Sequence, residues 1–342
     1  MAGAGLLERL EAGHVVCAEG YLFELERRGY VQAGAFVPEV VLEHPEKVRE
    51  LHREFVHAGS NVVEAFTYYG HREKMRIVGK EHLLEDLNRQ ALALAREVAD
   101  ESGSLFAGDI CNTNVFDPDD EGSKRAVRAM FEEQVGWAAE AGVDYVIAET
   151  FSHAEEARVA VEAIKEADLP AVATLIVHQQ PTTRDGLPLA DACALLEQAG
   201  ADAVGLNCGR GPGTMLPLLG AIVERVSCPV AALPVPYRTT PEEPTFQALR
   251  DPQSDGKPFP TALDPFTCTR YELADFAREA DALGVRYLGI CCGNAPHLTR
   301  SLVEALGRTP PASAYSPDMS KHAYFGDDPS LKDANLEFAA EL

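Results

Sequence analysis

The chain has 342 residues, 46% of them hydrophobic, and a formal net charge of −24. That charge would repel nucleic-acid phosphates and anionic membrane surfaces, which excludes both as partners, and no apolar run is long enough to span a bilayer. Met1 to Gly5 leads into the polar, amphipathic Leu6–Leu10 with no signal-peptide pattern. The eight cysteines are spread through patterned segments rather than arranged as a disulfide framework, which fits a reducing, cytoplasmic setting.

Short apolar or β-branched runs recur along the chain at His14–Ala18, Asn61–Phe66, Leu105–Ile110, Tyr145–Ala148, Ala171–Val177, Ala203–Leu206, Val230–Leu233 and Arg286–Ile290. Between them the apolar residues fall three and four apart, as in Val48-Leu51-Phe55 or Leu298-Leu302-Leu306, which predicts amphipathic helices. Gly59, Gly142, Gly200 and Gly284 each stand between a helical pattern and the next strand, as helix-terminating glycines do. Eight strands alternating with helices predict an α/β fold, a single (β/α)8 TIM barrel. An open doubly wound sheet is the alternative, disfavoured because no Gly-x-Gly-x-x-Gly follows an early strand.

In such a barrel chemistry belongs at the C-terminal ends of the strands. In order those ends read Glu19-Gly20-Tyr21, Thr67-Tyr68-Tyr69-Gly70-His71, Asp109 with Cys111, Glu149-Thr150, His178, Asn207-Cys208-Gly209, Pro234 to Tyr237, and Cys291-Cys292-Gly293. Adjacent cysteines on a strand point to opposite faces, so Cys291 and Cys292 meet one ion only if the backbone turns, and Gly293 supplies that freedom. With Cys208 they make three thiolates from two strand ends. Such a set holds Zn2+ with one corner open, the pattern of a catalytic site. A substrate thiol entering that corner loses its proton and becomes a nucleophile at neutral pH. The ligand set suits alkyl transfer to sulfur better than hydrolysis, where zinc is held by His and carboxylates.

These residues resemble the homocysteine S-methyltransferase family, in Gly-Leu-Asn-Cys208-Gly and Cys291-Cys292-Gly293. More of the chain resembles the betaine–homocysteine S-methyltransferase-like branch in particular, through Leu25 to Gly34, Glu43 to Phe55, Ala58 to Val62, Ile147-Ala148-Glu149 with His153, and Ala277 to Tyr287. The resemblance implies a zinc-dependent S-methyltransferase that moves a methyl group from a betaine-type onium donor to homocysteine, giving methionine. By position, Cys208, Cys291 and Cys292 are the implied zinc ligands, Glu149 the partner of the acceptor's amino group, and Tyr69 a neighbour of metal and donor. Asn207 is expected to orient the metal loop.

Three positions depart from the family. Ala18 stands where the family carries an acid, and Glu19 is expected to substitute as a substrate-binding carboxylate from one position along, although a one-residue shift on a strand turns a side chain to the other face. Phe36 replaces a tryptophan of the betaine branch, leaving Phe36, Tyr68 and Tyr69 as an aromatic box for a methylated cation. Ile290 replaces the glycine before the cysteine pair.

Residues 1–308 are expected to form the barrel and 309–342 a C-terminal extension. Tyr315 to Lys321 resembles the branch's extension, which serves oligomer contacts, so a homo-oligomer is expected. The Pro- and Asp-rich stretch Tyr237–Thr267 reads as a long loop over the mouth. Two rival functions remain at this level. One is the same chemistry with a sulfonium donor (S-methylmethionine or dimethylsulfoniopropionate) or another thiol; the other is a non-catalytic zinc-binding barrel.

Overall fold

The computed structural model describes residues 4–253 and 256–342. Its strands are β1 (Val15–Ala18), β2 (Val62–Glu64), β3 (Leu105–Cys111), β4 (Tyr145–Phe151), β5 (Ala171–Leu175), β6 (Ala203–Asn207), β7 (Val230–Leu233) and β8 (Tyr287–Ile290). All eight expected strands are present. Each pairs in parallel with its neighbours, and β1 pairs with β8, so the sheet closes into a barrel. This is the TIM architecture that the alternation predicts.

Every strand residue is buried, because one face looks into the bore and the other under the helices. The register separates the two faces. Val16, Val63, Phe106, Val146, Val204 and Leu288 join the apolar layer under the helices, together with Ile164, Leu219 and Leu302. Val15, Cys17, Val62, Leu105, Ala107, Tyr145, Ile147 and Tyr287 fill the bore. At the N-terminal end of the bore the Tyr145 and Tyr287 hydroxyls share a hydrogen bond of 3.0 Å. Each fully buried Val, Leu, Ile or Phe in these layers contributes about 1.5–3 kcal/mol.

Helices Pro45–Ala58, Glu121–Ala141 and Arg270–Leu283 end on Gly59, Gly142 and Gly284, all at positive φ, as the sequence pattern required. The helix Arg270–Leu283 starts with a capping box, in which Thr269 and Glu272 each bond the other's backbone N–H.

The segment after β7 folds over the mouth. A bridge between Tyr237 and Thr267 closes its base. Phe246 is buried, and its N–H donates to the Gly209 carbonyl at 2.9 Å, pinning the segment beside Cys208. Positions 254 and 255 of this segment lie outside the described residues. Beyond the barrel a short helix, Asp333–Ala339, ends a tail that exposes Tyr315, Phe325 and Phe338. Among the described residues no helix is long and apolar enough to cross a membrane.

Candidate metal and acceptor site

Cys208 follows β6, and Cys291 and Cys292 follow β8. Both turns hang on the end of β7, because Cys208 N–H donates to Leu233 O and Cys291 N–H to Pro234 O, each at 2.9 Å. Gly293 has φ +97°, and a Cβ there would lie 2.3 Å from the Tyr237 hydroxyl oxygen. Only glycine lets this turn pack on Tyr237. Arg27 braces it, donating to Gly293 O at 3.2 Å and to the Tyr237 hydroxyl at 2.9 Å. The turn that Gly293 was expected to make is therefore made.

One sulfur from each of the three cysteines lies within 4.8 Å of the others. Cys291 Sγ and Cys292 Sγ are 3.9 Å apart. Two thiolates at about 2.3 Å from a tetrahedral zinc stand ~3.8 Å apart, so the donor type and spacing fit such an ion. The Cys291 and Cys292 sulfhydryls hydrogen-bond to Cys208 and draw its pKa well below the ordinary thiol value. Burial holds Cys291 well above it, and the Cys208 sulfur does the same for Cys292.

Beside the sulfurs lie two carboxylates bridged by Asn207. Its Nδ2 donates to Glu149 Oε2 at 2.6 Å and to Glu19 Oε2 at 3.3 Å, and lies 3.9 Å from Cys291 Sγ. Its Oδ1 accepts from Thr150 N–H at 3.0 Å, which fixes the amide's orientation. One oxygen each of Glu19 and Glu149 and the Cys291 sulfur form a second close triad. Burial raises the Glu149 carboxyl to about 7, against hydrogen bonds from Thr150 and Asn207 that lower it. Glu19 is also raised, first by burial and then by Glu149.

Glu19, expected to substitute from one position along, lies on the site side of the strand end rather than on the other face. Cys17 lies in the bore, and Glu19, two positions on, shares its inward parity, so the outward position is that of Ala18. Ile290 pairs with Ala18 and packs in the layer under the helices, away from the metal turn. Its bulk is absorbed there.

Tyr68 lines a cavity of about 30 Å³ together with Glu19, Glu149, Cys291 and Cys292. The ring of Tyr69 lies 4.4 Å from that of Tyr68, and the Lys74 ammonium sits 4.6 Å over the Tyr69 ring. Phe36 stacks on Phe23 at 5.8 Å, in a cluster that continues to Phe246, Phe259 and Tyr237. Among the described residues it makes no ring contact with Tyr68 or Tyr69. The three rings therefore belong to two separate groups.

The same cavity is lined by Glu64 and Asp109. Glu64 was not singled out from the sequence; it is the lone acid in Val62-Val63-Glu64-Ala65-Phe66. Its signal was parity, since Val62 and Glu64 face the same way and Val62 is a bore residue.

A closed parallel barrel carrying three thiols and two carboxylates at its C-terminal mouth is a barrel with a sulfur-rich site able to bind a metal ion. The chain is similar to known proteins. Residues 17–306 match the model of the homocysteine S-methyltransferase family. Betaine–homocysteine S-methyltransferase 1 of Xenopus tropicalis is 38% identical over 335 residues, covering 95% of this chain and 80% of that one. S-methylmethionine–homocysteine S-methyltransferase BHMT2 of Pongo abelii is also 38% identical, over 95% of this chain and 87% of its own. The metallated form of the homocysteine methyltransferase MmuM from Escherichia coli superposes with a TM-score of 0.66 at 22% identity, covering 86% of this chain and 96% of that one. The chain belongs to the homocysteine S-methyltransferase family.

Proposed function

We propose that the protein methylates homocysteine to methionine at this mouth, taking the methyl group from a betaine-type onium donor and using Zn2+ held by Cys208, Cys291 and Cys292. The observation that carries the reading is the three-sulfur cluster beside two amide-bridged carboxylates. Zinc bound there supplies Lewis acidity that lowers the proton affinity of an acceptor thiol.

The chain's own groups do the positioning. Glu19 and Glu149 receive the α-ammonium of the acceptor, and Asn207 holds both carboxylates on one side of the sulfurs. A buried carboxylate pair binds an ammonium strongly because water does not compete for it. Tyr68 edges the cavity and receives the methylated cation, with Tyr69 and Lys74 beside it, while Phe36 packs in the separate ring cluster around Phe23. In the transfer the S–C bond forms as the donor's C–N bond breaks. The electron pair stays on the departing amine, and the thiol proton leaves to solvent.

A sulfonium donor is the second reading, favoured by the relative that is named for S-methylmethionine and matches at the same identity. Incubating the zinc-loaded, reduced protein with homocysteine and a panel of betaines and sulfonium compounds, with methionine read by mass spectrometry, decides between them. No methionine from any donor would overturn the proposal.

We further assign the barrel to residues 1–308 and read 309–342 as an oligomer-forming extension, its exposed Tyr315, Phe325 and Phe338 covered by another copy. The eight free thiols suit a reducing cytoplasm.

A further inference from the structure

We propose that Glu64, Asp109 and Glu149 form a second cation site, in the bore below the thiols, that takes a hard divalent ion of the magnesium, manganese or calcium class. The three acids come from adjacent strands β2, β3 and β4, and one oxygen of each lies within 4.8 Å of the other two. Oxygens this close converge on a single ion at the ~2.1–2.5 Å of hard-cation coordination after side-chain shifts of a few tenths of an ångström at most.

Two independent observations point to a ligand. Asp109 Oδ1 is buried without any hydrogen-bond partner, as is Oε1 of the neighbouring Glu19. Both atoms belong to residues lining the cavity of about 30 Å³, which is large enough for one ion or water. Asp109 and Glu64 are only 4% and 3% exposed, and among the described residues neither is paired with a lysine, arginine or histidine. Buried charges persist in proteins when they are paired or bind metal.

Burial, and then the mutual repulsion of the neighbouring acids, raises both carboxyls well above their ordinary values. A divalent ion removes that repulsion. All-oxygen donors select hard cations, whereas the three sulfurs above select zinc, so the two sites sort two metals. Glu149 belongs to both, and an ion at the lower site would keep that carboxylate ionised and fixed for the acceptor.

The test uses the full-length protein with zinc already bound at the thiols. Mn2+ is titrated in and the free ion read by electron paramagnetic resonance, with zinc content measured alongside. One Mn2+ per chain is expected, with zinc retained. Glu64→Gln and Asp109→Asn should each weaken Mn2+ binding at least tenfold while leaving zinc at one equivalent, and Glu101→Gln on the surface should change nothing. Mn2+ should also raise the wild-type melting temperature but not that of either variant. Absence of Mn2+ binding to the wild type, as expected if the acids merely share protons, overturns the proposal. So does equal binding by both variants.

Discussion

Asn207 donates to Glu149 across 2.6 Å, the shortest link between the metal turn and the acid wall. The bond is charge-assisted and buried, and removing such a donor costs about 1.5–3 kcal/mol. Asn207→Ala should lower kcat/KM for homocysteine by about 10- to 100-fold while zinc stays at one equivalent. Loss of zinc with the amide would show instead that Asn207 builds the metal turn.

Cys291→Ala removes one of three sulfurs and leaves two, too few for tight binding of zinc. The variant should lose both metal, read by elemental analysis, and methionine formation. Full activity from a metal-free Cys291→Ala protein would sink the mechanism.

Gly293→Ala places a methyl group where the Tyr237 hydroxyl already is, 2.3 Å away, at a φ of +97° that alanine avoids. Strain of this kind costs about 1–3 kcal/mol. Denaturant unfolding should report a loss in that range. Zinc affinity measured against a chelator should fall as well, since the turn carries Cys292.

His52 lies in the helix Pro45–Ala58 with both ring nitrogens buried and unpartnered, its ring 4.9 Å from that of Tyr21. Burial pushes its pKa from 6.5 down to about 3. Between those values the unfolded chain binds a proton that the folded one refuses. Stability should therefore be unaffected by His52 above pH 6.5 and fall as the pH drops toward 3, by up to about 1.4 kcal/mol per unit. Melting curves of His52→Leu between pH 7 and pH 4.5 should show a shallower dependence on pH than those of the wild type.

Tyr68 and Phe36 separate donor binding from packing. Cation–π contacts are worth about 0.5–2 kcal/mol, so Tyr68→Ala should raise the donor KM by roughly 2- to 30-fold with the homocysteine KM little changed. Phe36→Ala, which unstacks Phe23, should lower the melting temperature and leave the donor KM nearly unchanged. A rise in donor KM for Phe36→Ala alone would move the donor to the other ring cluster.

The barrel was legible because each strand is a run of Val, Ile, Leu and Ala bounded by turn residues, and because glycines mark the helix ends. The three cysteines were legible because their short turns repeat one pattern after two strands. Which face of a strand looks inward was not. In a parallel barrel both faces are apolar, so Val15-Val16-Cys17-Ala18 carries no alternation to read. The direction of Glu19 was left open and Glu64 overlooked for that one reason; the register of β1 against β8 resolves the first, and the bore position of Val62 the second. The grouping of Phe36 with Phe23 rather than with Tyr68 is loop packing, which no periodicity encodes.

The seam between β1 and β8 carries a further meaning. Glu19 follows the first strand and Cys291 the last, and only the pairing of those two strands brings them together. A ribosome-bound chain that has not yet released its final strand lacks the sulfurs of Cys291 and Cys292 beside its acid wall. Joining Glu19 to the sulfurs thus requires ring closure, and an unfinished or misclosed chain holds only separate parts of the site.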